Sequence, residues 1–171
     1  MVAQFDNAKF VEVGSWKGRS ASYMAIEIAN SNKNIKFYCV DPWTGEAKIG
    51  SKSFECEEVA SKTLYECFLK NIEPVKDYII PLRMLSAAGS TQFEDNSLDF
   101  VFIDASHDYD SVKEDINLWF PKIKIGGILA GHDYKFPGVN KAVHEFIDTH
   151  GLQLNDIGQG SWCLYPKTHS E

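Results

Sequence analysis

Glu12, Asp41, Asp104, His107, His132 and Asp133 each stand in, or just beyond, a short run of β-forming residues. Asp104, His132 and Asp133 offer carboxylate oxygens and an imidazole, a donor set that suits Mg²⁺, Mn²⁺ or Fe²⁺ and, lacking thiolates, not structural zinc. The alternative is a turn capped by Asp133 beside a neutral, hydrogen-bonded His132. His107 follows Asp104 by three positions, and its reference pKa of about 6.5 suits a general base. Glu12 precedes a glycine turn, Gly14-Ser15-Trp16-Lys17-Gly18, whose G-x-x-x-G spacing differs from the G-x-G-x-x-G of dinucleotide sites. An acid there repels a pyrophosphate but pairs with an ammonium group. Asp41 stands 23 residues beyond Gly18, about where a doubly wound sheet places the carboxylate that accepts from a ribose, although Asp before Pro42 also opens turns.

The elements that must position these groups follow from periodicity. Phe10, Val11 and Val13 form a strand that runs into the glycine turn, and Ala21, Met24, Ala25 and Ile28 mark a helix that opens just after Gly18, with Ser20 in its first turn. Unpaired N–H groups of that first turn point towards a ligand held by the loop. Ile35–Val40, Tyr78–Leu82, Leu98–Ile103 and Ile128–Gly131 read as further strands, and Leu98–Ile103 is apolar enough to be buried on both faces. Helices are expected from Leu64 to about Asn71, from Tyr109 to Trp119 with a capping-box match at Ser111 and Glu114, and from Val139 to Phe146, closed by Gly151. Leu152–Ile157 and Ser161–Tyr165 pair as a hairpin across Gly158-Gln159-Gly160. Ser86 to Thr91 is a short helix or loop, and residues 44 to 62 read as a polar flap. The alternation is that of an α/β sheet with an antiparallel edge, and open sheets of this kind bind ligands at the carboxyl ends of their strands, where the acids and histidines collect.

Composition narrows the partners. The 171 residues fit one domain, residues 1–171, with 44% hydrophobic and 24% charged side chains. No apolar run approaches the roughly 20 residues that span a bilayer, and the polar start at Gln4, Asp6 and Asn7 does not resemble a signal peptide. The expectation is a cytoplasmic protein with no membrane association. A net charge of −7, with no basic stripe, argues against nucleic acid and for a small-molecule partner. Cys39, Cys56, Cys67 and Cys163 show neither C-x-x-C nor zinc spacing and are expected as reduced thiols. His144, His150 and His169 are expected to be solvated or locally bonded.

Four stretches, in this order, resemble the class I S-adenosylmethionine-dependent methyltransferases, and more narrowly the compact O-methyltransferases of sugars and small metabolites. They are Val11-Glu-Val-Gly-Ser-Trp-Lys-Gly-Arg-Ser20, Val40-Asp-Pro-Trp-Thr-Gly45, Phe102-Ile-Asp-Ala-Ser-His-Asp-Tyr109 and Gly126-Gly-Ile-Leu-Ala-Gly-His-Asp-Tyr134. The resemblance implies a Rossmann-like doubly wound α/β sheet of seven strands in the order 3-2-1-4-5-7-6, strand 7 antiparallel. It implies S-adenosylmethionine as cofactor, with Glu12, Gly14, Ser15, Gly18 and Ser20 at the methionine end, Asp41 at the ribose, Trp43, Leu85 and Ser86 at the adenine, and Asp104 alongside. It also implies a divalent cation, Mg²⁺ or Mn²⁺, on Asp104, His132 and Asp133, holding an acceptor hydroxyl whose proton goes to His107. His132 departs from the acid usual at that position in metal-dependent relatives. The start of the chain close to the first strand leaves the acceptor to be covered by the 44 to 62 stretch or by a second subunit, so an open acceptor site and a homodimer are expected. The rival readings are a metal-independent methyltransferase, a nicotinamide-dependent oxidoreductase and a non-catalytic cofactor-binding module.

Overall fold

Phe10, Val11 and Val13 point alternately to the two faces of β1 (Ala8–Val13), yet all are buried, because helices cover both sides of the sheet to which this strand is central. The computed structural model describes residues 2–45, 48–49, 52–53, 56–158 and 160–166. Its strands are β1, β2 (Ile35–Asp41), β3 (Ile79–Arg83), β4 (Leu98–Ile103), β5 (Ile123–Gly131), β6 (Asn155–Gly158) and β7 (Ser161–Leu164), in the sheet order β3-β2-β1-β4-β5-β7-β6. The first five are parallel, and β7 runs antiparallel to both β5 and β6. This is the expected order. Strand β6 at the edge is short and its register slips between Asp156 and Gly158.

One face of the sheet packs Phe10, Phe37 and Phe100 against Ala21, Ala25 and Ile28 of α1 (Arg19–Ser31); Leu64, Phe68 and Ile72 of α3 (Leu64–Ile72) belong to the same core, and α2 (Glu57–Ala60) precedes α3. The Phe10 and Phe100 rings meet at 5.2 Å between centroids. The other face packs Val11, Val101 and Leu129 against α5 (Tyr109–Trp119) and α6 (Pro137–His150), with Trp119 and Trp162 both buried, while α4 (Ser86–Ser90) follows β3. Each fully buried aliphatic or aromatic side chain contributes about 1.5–3 kcal/mol, so the two cores hold the strand ends in fixed register.

Two details differ from the sequence reading. Helix α5 is capped by Asp108, whose side chain accepts from the Ser111 N–H at 3.1 Å. Ser111 therefore lies inside the first turn and is not the cap; the Ser111–Glu114 match lost because Asp108 in extended conformation supplies a better acceptor one turn earlier. Within the 44 to 62 stretch Lys48–Ile49 pairs antiparallel with Lys52–Ser53 and α2 is described, while residues 46, 47, 50, 51, 54 and 55 of the expected flap lie outside the described residues, as does His169. Among the described residues no helix is long and apolar enough to cross a membrane.

Candidate active site

The carboxyl ends of β1 to β5 open on a cleft that continues over the sheet face at Phe37, Phe100 and Ile128, about 1420 Å³ in all, against the roughly 300–1,000 Å³ of a usual small-molecule site. Its shape begins with close packing of β1 on β4. Gly14 has φ +90, and a Cβ placed on it would lie 2.3 Å from the Asp104 carbonyl oxygen. Only glycine lets the β1 turn come this close to Asp104. Gly18, also at positive φ, ends the turn and leads directly into α1.

Glu12 lies at the cleft wall, 3% exposed, and burial pushes its carboxyl up to about 7, an effect that the nearby Ser20 and Ser15 hydroxyls partly offset. The Ser15 hydroxyl is buried and meets no partner in hydrogen-bond geometry. A buried acid beside an unpartnered hydroxyl is a place for a cationic, hydrogen-bonding ligand group.

Asp41 holds its own turn together. Its Oδ2 accepts from the Trp16 N–H at 2.9 Å and its Oδ1 from the Trp43 N–H at 2.6 Å. Capping and ligand contact are not exclusive, since each carboxylate oxygen keeps a further lone pair and Asp41 lines the cleft. Burial raises its pKa and the backbone donors oppose that rise. Trp43 is placed differently from the expectation. Its ring packs at 4.5 Å on Phe68 and 4.8 Å on Tyr65, its indole N–H donates to the Trp16 carbonyl at 2.7 Å, and it does not line the cleft. The apolar ring gains more from the α3 core than from an open wall. Leu85, by contrast, lines the cleft and is 62% exposed.

At the far end, Asp104, His107 and Asp133 bring three potential ligand atoms within 4.8 Å of one another. His107 Nε2 lies 2.7 Å from Asp133 Oδ2, the imidazole packs on Phe136, and its Nδ1 is buried without a partner. His132, expected as the imidazole ligand, stands outside that group: its Nδ1 is 3.2 Å from Asp133 Oδ1 and 3.9 Å from Asp104 Oδ1, and its side chain is 40% exposed. The chain turns at Asp133 in the left-handed region, φ 59, just beyond β5. Burial raises the Asp104 pKa, and the facing His132 opposes the rise. Two carboxylates and an imidazole at this spacing fit a divalent cation bound by oxygen and nitrogen.

Residues 11–134 match the model of a family described as a methyltransferase domain. The chain belongs to the methyltransferase-domain family. Among curated proteins, this methyltransferase domain is 26% identical over 147 residues to protein R132 of Acanthamoeba polyphaga mimivirus, covering 81% of the chain and 60% of R132. The chain spans less than two thirds of the length of the first curated relatives it matches. Among solved structures it is similar to the O-methyltransferase NovP, with a TM-score of 0.68, 16% identity and coverage of 95% of this chain and 73% of NovP. It is also similar to CalS11, a TDP-rhamnose 3'-O-methyltransferase of calicheamicin biosynthesis, with a TM-score of 0.64, 15% identity and coverage of 96% and 73%. At these identities the structural likeness establishes the methyltransferase fold.

Sequence reasoning missed Asp115. It sits on α5, 6% exposed, accepts a hydrogen bond from the Ser86 hydroxyl and lines the cleft. An acid at a position facing the apolar stripe of α5, three residues after Val112, was the available signal.

Proposed function

We propose that this domain binds S-adenosylmethionine along the cleft and transfers its methyl group to a hydroxyl of a sugar or other small molecule, with assistance from a divalent cation. The observation that carries the reading is the meeting, in one cleft, of a buried carboxyl at Glu12, the Gly14–Gly18 turn, Asp41 and the Asp104–His107–Asp133 group. CalS11, a TDP-rhamnose 3'-O-methyltransferase, supports a sugar acceptor by analogy.

When bound, the sulfonium supplies an activated methyl group and the cation lowers the pKa of an acceptor hydroxyl. This chain's residues bind and orient. Glu12 pairs with the ammonium end of the cofactor, Asp41 accepts from the ribose hydroxyls, and Leu85 and Ser86 flank the base. Asp104 and Asp133 would hold the cation. His107 takes the acceptor proton at Nδ1, the ring nitrogen without a partner, while its Nε2–H donates to Asp133, which orients the ring and balances its charge.

Calorimetric titration with S-adenosylmethionine, with and without Mg²⁺ or Mn²⁺ and with a chelator, tests this directly. Cofactor binding together with a separate, chelatable metal site is expected. Absence of cofactor binding would overturn the reading. Cofactor binding with no metal effect would leave a metal-independent methyltransferase. His107→Ala should keep cofactor and metal binding while losing about 10²–10⁴ in turnover. Because His107 also lies among the candidate metal ligands, loss of metal affinity in the same variant would make it a ligand instead of the base.

A further inference from the structure

Beyond Asp41 the cleft continues to a place where α4 and α5 meet, and here the polar groups are arranged in series. The Trp119 indole N–H donates to the Ser86 hydroxyl at 2.9 Å, and that hydroxyl in turn donates to Asp115 Oδ1. The ordering is directional: since an indole N–H only donates, the Ser86 proton must go to Asp115. The second carboxylate oxygen of Asp115 accepts from no other described residue. Asp115 is thus a buried acid lining the cleft, with one oxygen locked by Ser86 and no described donor on the other. Beside it stands Leu85, an exposed apolar side chain in the same cleft. A burial of this kind costs stability: it pushes the Asp115 carboxyl up to about 6, Glu114 and Asp108 adding to the rise and Ser86 opposing it. A structural acceptor for Ser86 needs no charge, and a glutamine or asparagine would serve. A carboxylate kept at the wall of a ligand cleft is better explained by a donor that arrives with the ligand.

We infer that Asp115 reads the exocyclic amine of the cofactor's purine, its free oxygen accepting the N–H while Leu85 packs on the base and the Ser86–Trp119 chain holds the carboxylate in place. This rests on the cofactor reading proposed above. Adenine presents an amino donor at C6, whereas hypoxanthine presents a carbonyl acceptor there. A fixed carboxylate accepts from the first and repels the second, leaving both partners unsatisfied. Asp115 is then a specificity residue for the cofactor and has no part in methyl transfer.

The test compares S-adenosylhomocysteine with S-inosylhomocysteine, titrated at pH 8 into the wild-type chain and into Asp115→Asn. The wild type should bind the adenosyl ligand about 10–100-fold more tightly, the range for leaving one buried polar group unpaired. In Asp115→Asn the amide can turn its NH₂ to the C6 carbonyl. The variant should therefore bind the inosyl ligand more tightly than the wild type does, bringing the ratio to within about threefold of one. A merely structural role would weaken both ligands together and leave the ratio unchanged, and that result would overturn the assignment. Equal binding of both ligands by the wild type would overturn it without recourse to any variant. Failure of the wild type to bind S-adenosylhomocysteine at all would overturn the cofactor reading, and this inference with it.

Discussion

Burial lifts Glu12 to about 7, so near neutral pH the ligand-free cleft holds a carboxyl group divided between its two protonation states. Between its ordinary value of 4.5 and about 7, the native chain keeps a proton that the unfolded chain has released. The contribution of Glu12 to stability therefore falls as pH rises through that window, by up to roughly 3 kcal/mol. Glu12→Gln should remove this dependence, so its stability relative to the wild type should improve from pH 5 to pH 8 in urea unfolding; an advantage that shrinks with rising pH would contradict the assignment. Asp115, lifted to about 6, acts in the same direction and remains in that variant, so a residual slope is expected. The same substitution should weaken cofactor binding at pH 8, since the ammonium group loses its counter-charge. Stability and binding should thus move in opposite directions, as at a site where an unfavourable burial is retained for a ligand.

At the scale of elements, the geometry of the cleft depends on how strands end and helices begin. Gly14→Ala would set a methyl 2.3 Å from the Asp104 carbonyl oxygen at a φ of +90, and both the clash and the backbone strain act on the β1–β4 contact. A loss of about 1–3 kcal/mol is expected in denaturant unfolding, with a larger loss of cofactor affinity, because the turn and Asp104 move apart. Helix α5 offers a separate test. Asp108→Ala should cost about 1 kcal/mol through loss of its cap, and Asp108→Ser should restore most of it. Ser111→Ala, at the position singled out by the capping-box pattern, should be nearly neutral. Equal costs at 108 and 111 in thermal unfolding would contradict the observed cap.

For the whole molecule, a ligand bound by several strand ends at once stabilises the native state alone. At a concentration 100 times its Kd, S-adenosylhomocysteine should add about 2.7 kcal/mol. For a domain of this size that corresponds to an increase in Tm of roughly 5–10 °C, readable by calorimetry. A shift seen only with both Mg²⁺ and ligand present would instead make the cation part of the cofactor site.

What the sequence by itself determined was the order of elements, their approximate limits and the edge of the sheet on which chemistry collects. Hydrophobic period and turn residues are local properties, and they are read within ten or fifteen positions; the five parallel strands, the hairpin and the strand-end positions of Glu12, Asp41 and Asp104 were legible for that reason. The tertiary structure alone decided which side chains meet. Trp43 turned to Phe68 and Tyr65, because α3, twenty residues away in the chain, offers an apolar surface that no local pattern encodes. Asp133 meets His107 at 2.7 Å as well as His132 at 3.2 Å, because the end of β5 and the ring of Phe136 bring His107 to it in a way that sequence spacing does not show. Asp115 joined the cleft only through Ser86, a partner 29 positions earlier on another helix. Distances of a few ångströms between remote side chains are set by the packing of whole elements, and that packing, more than residue type, assigns roles within this cleft.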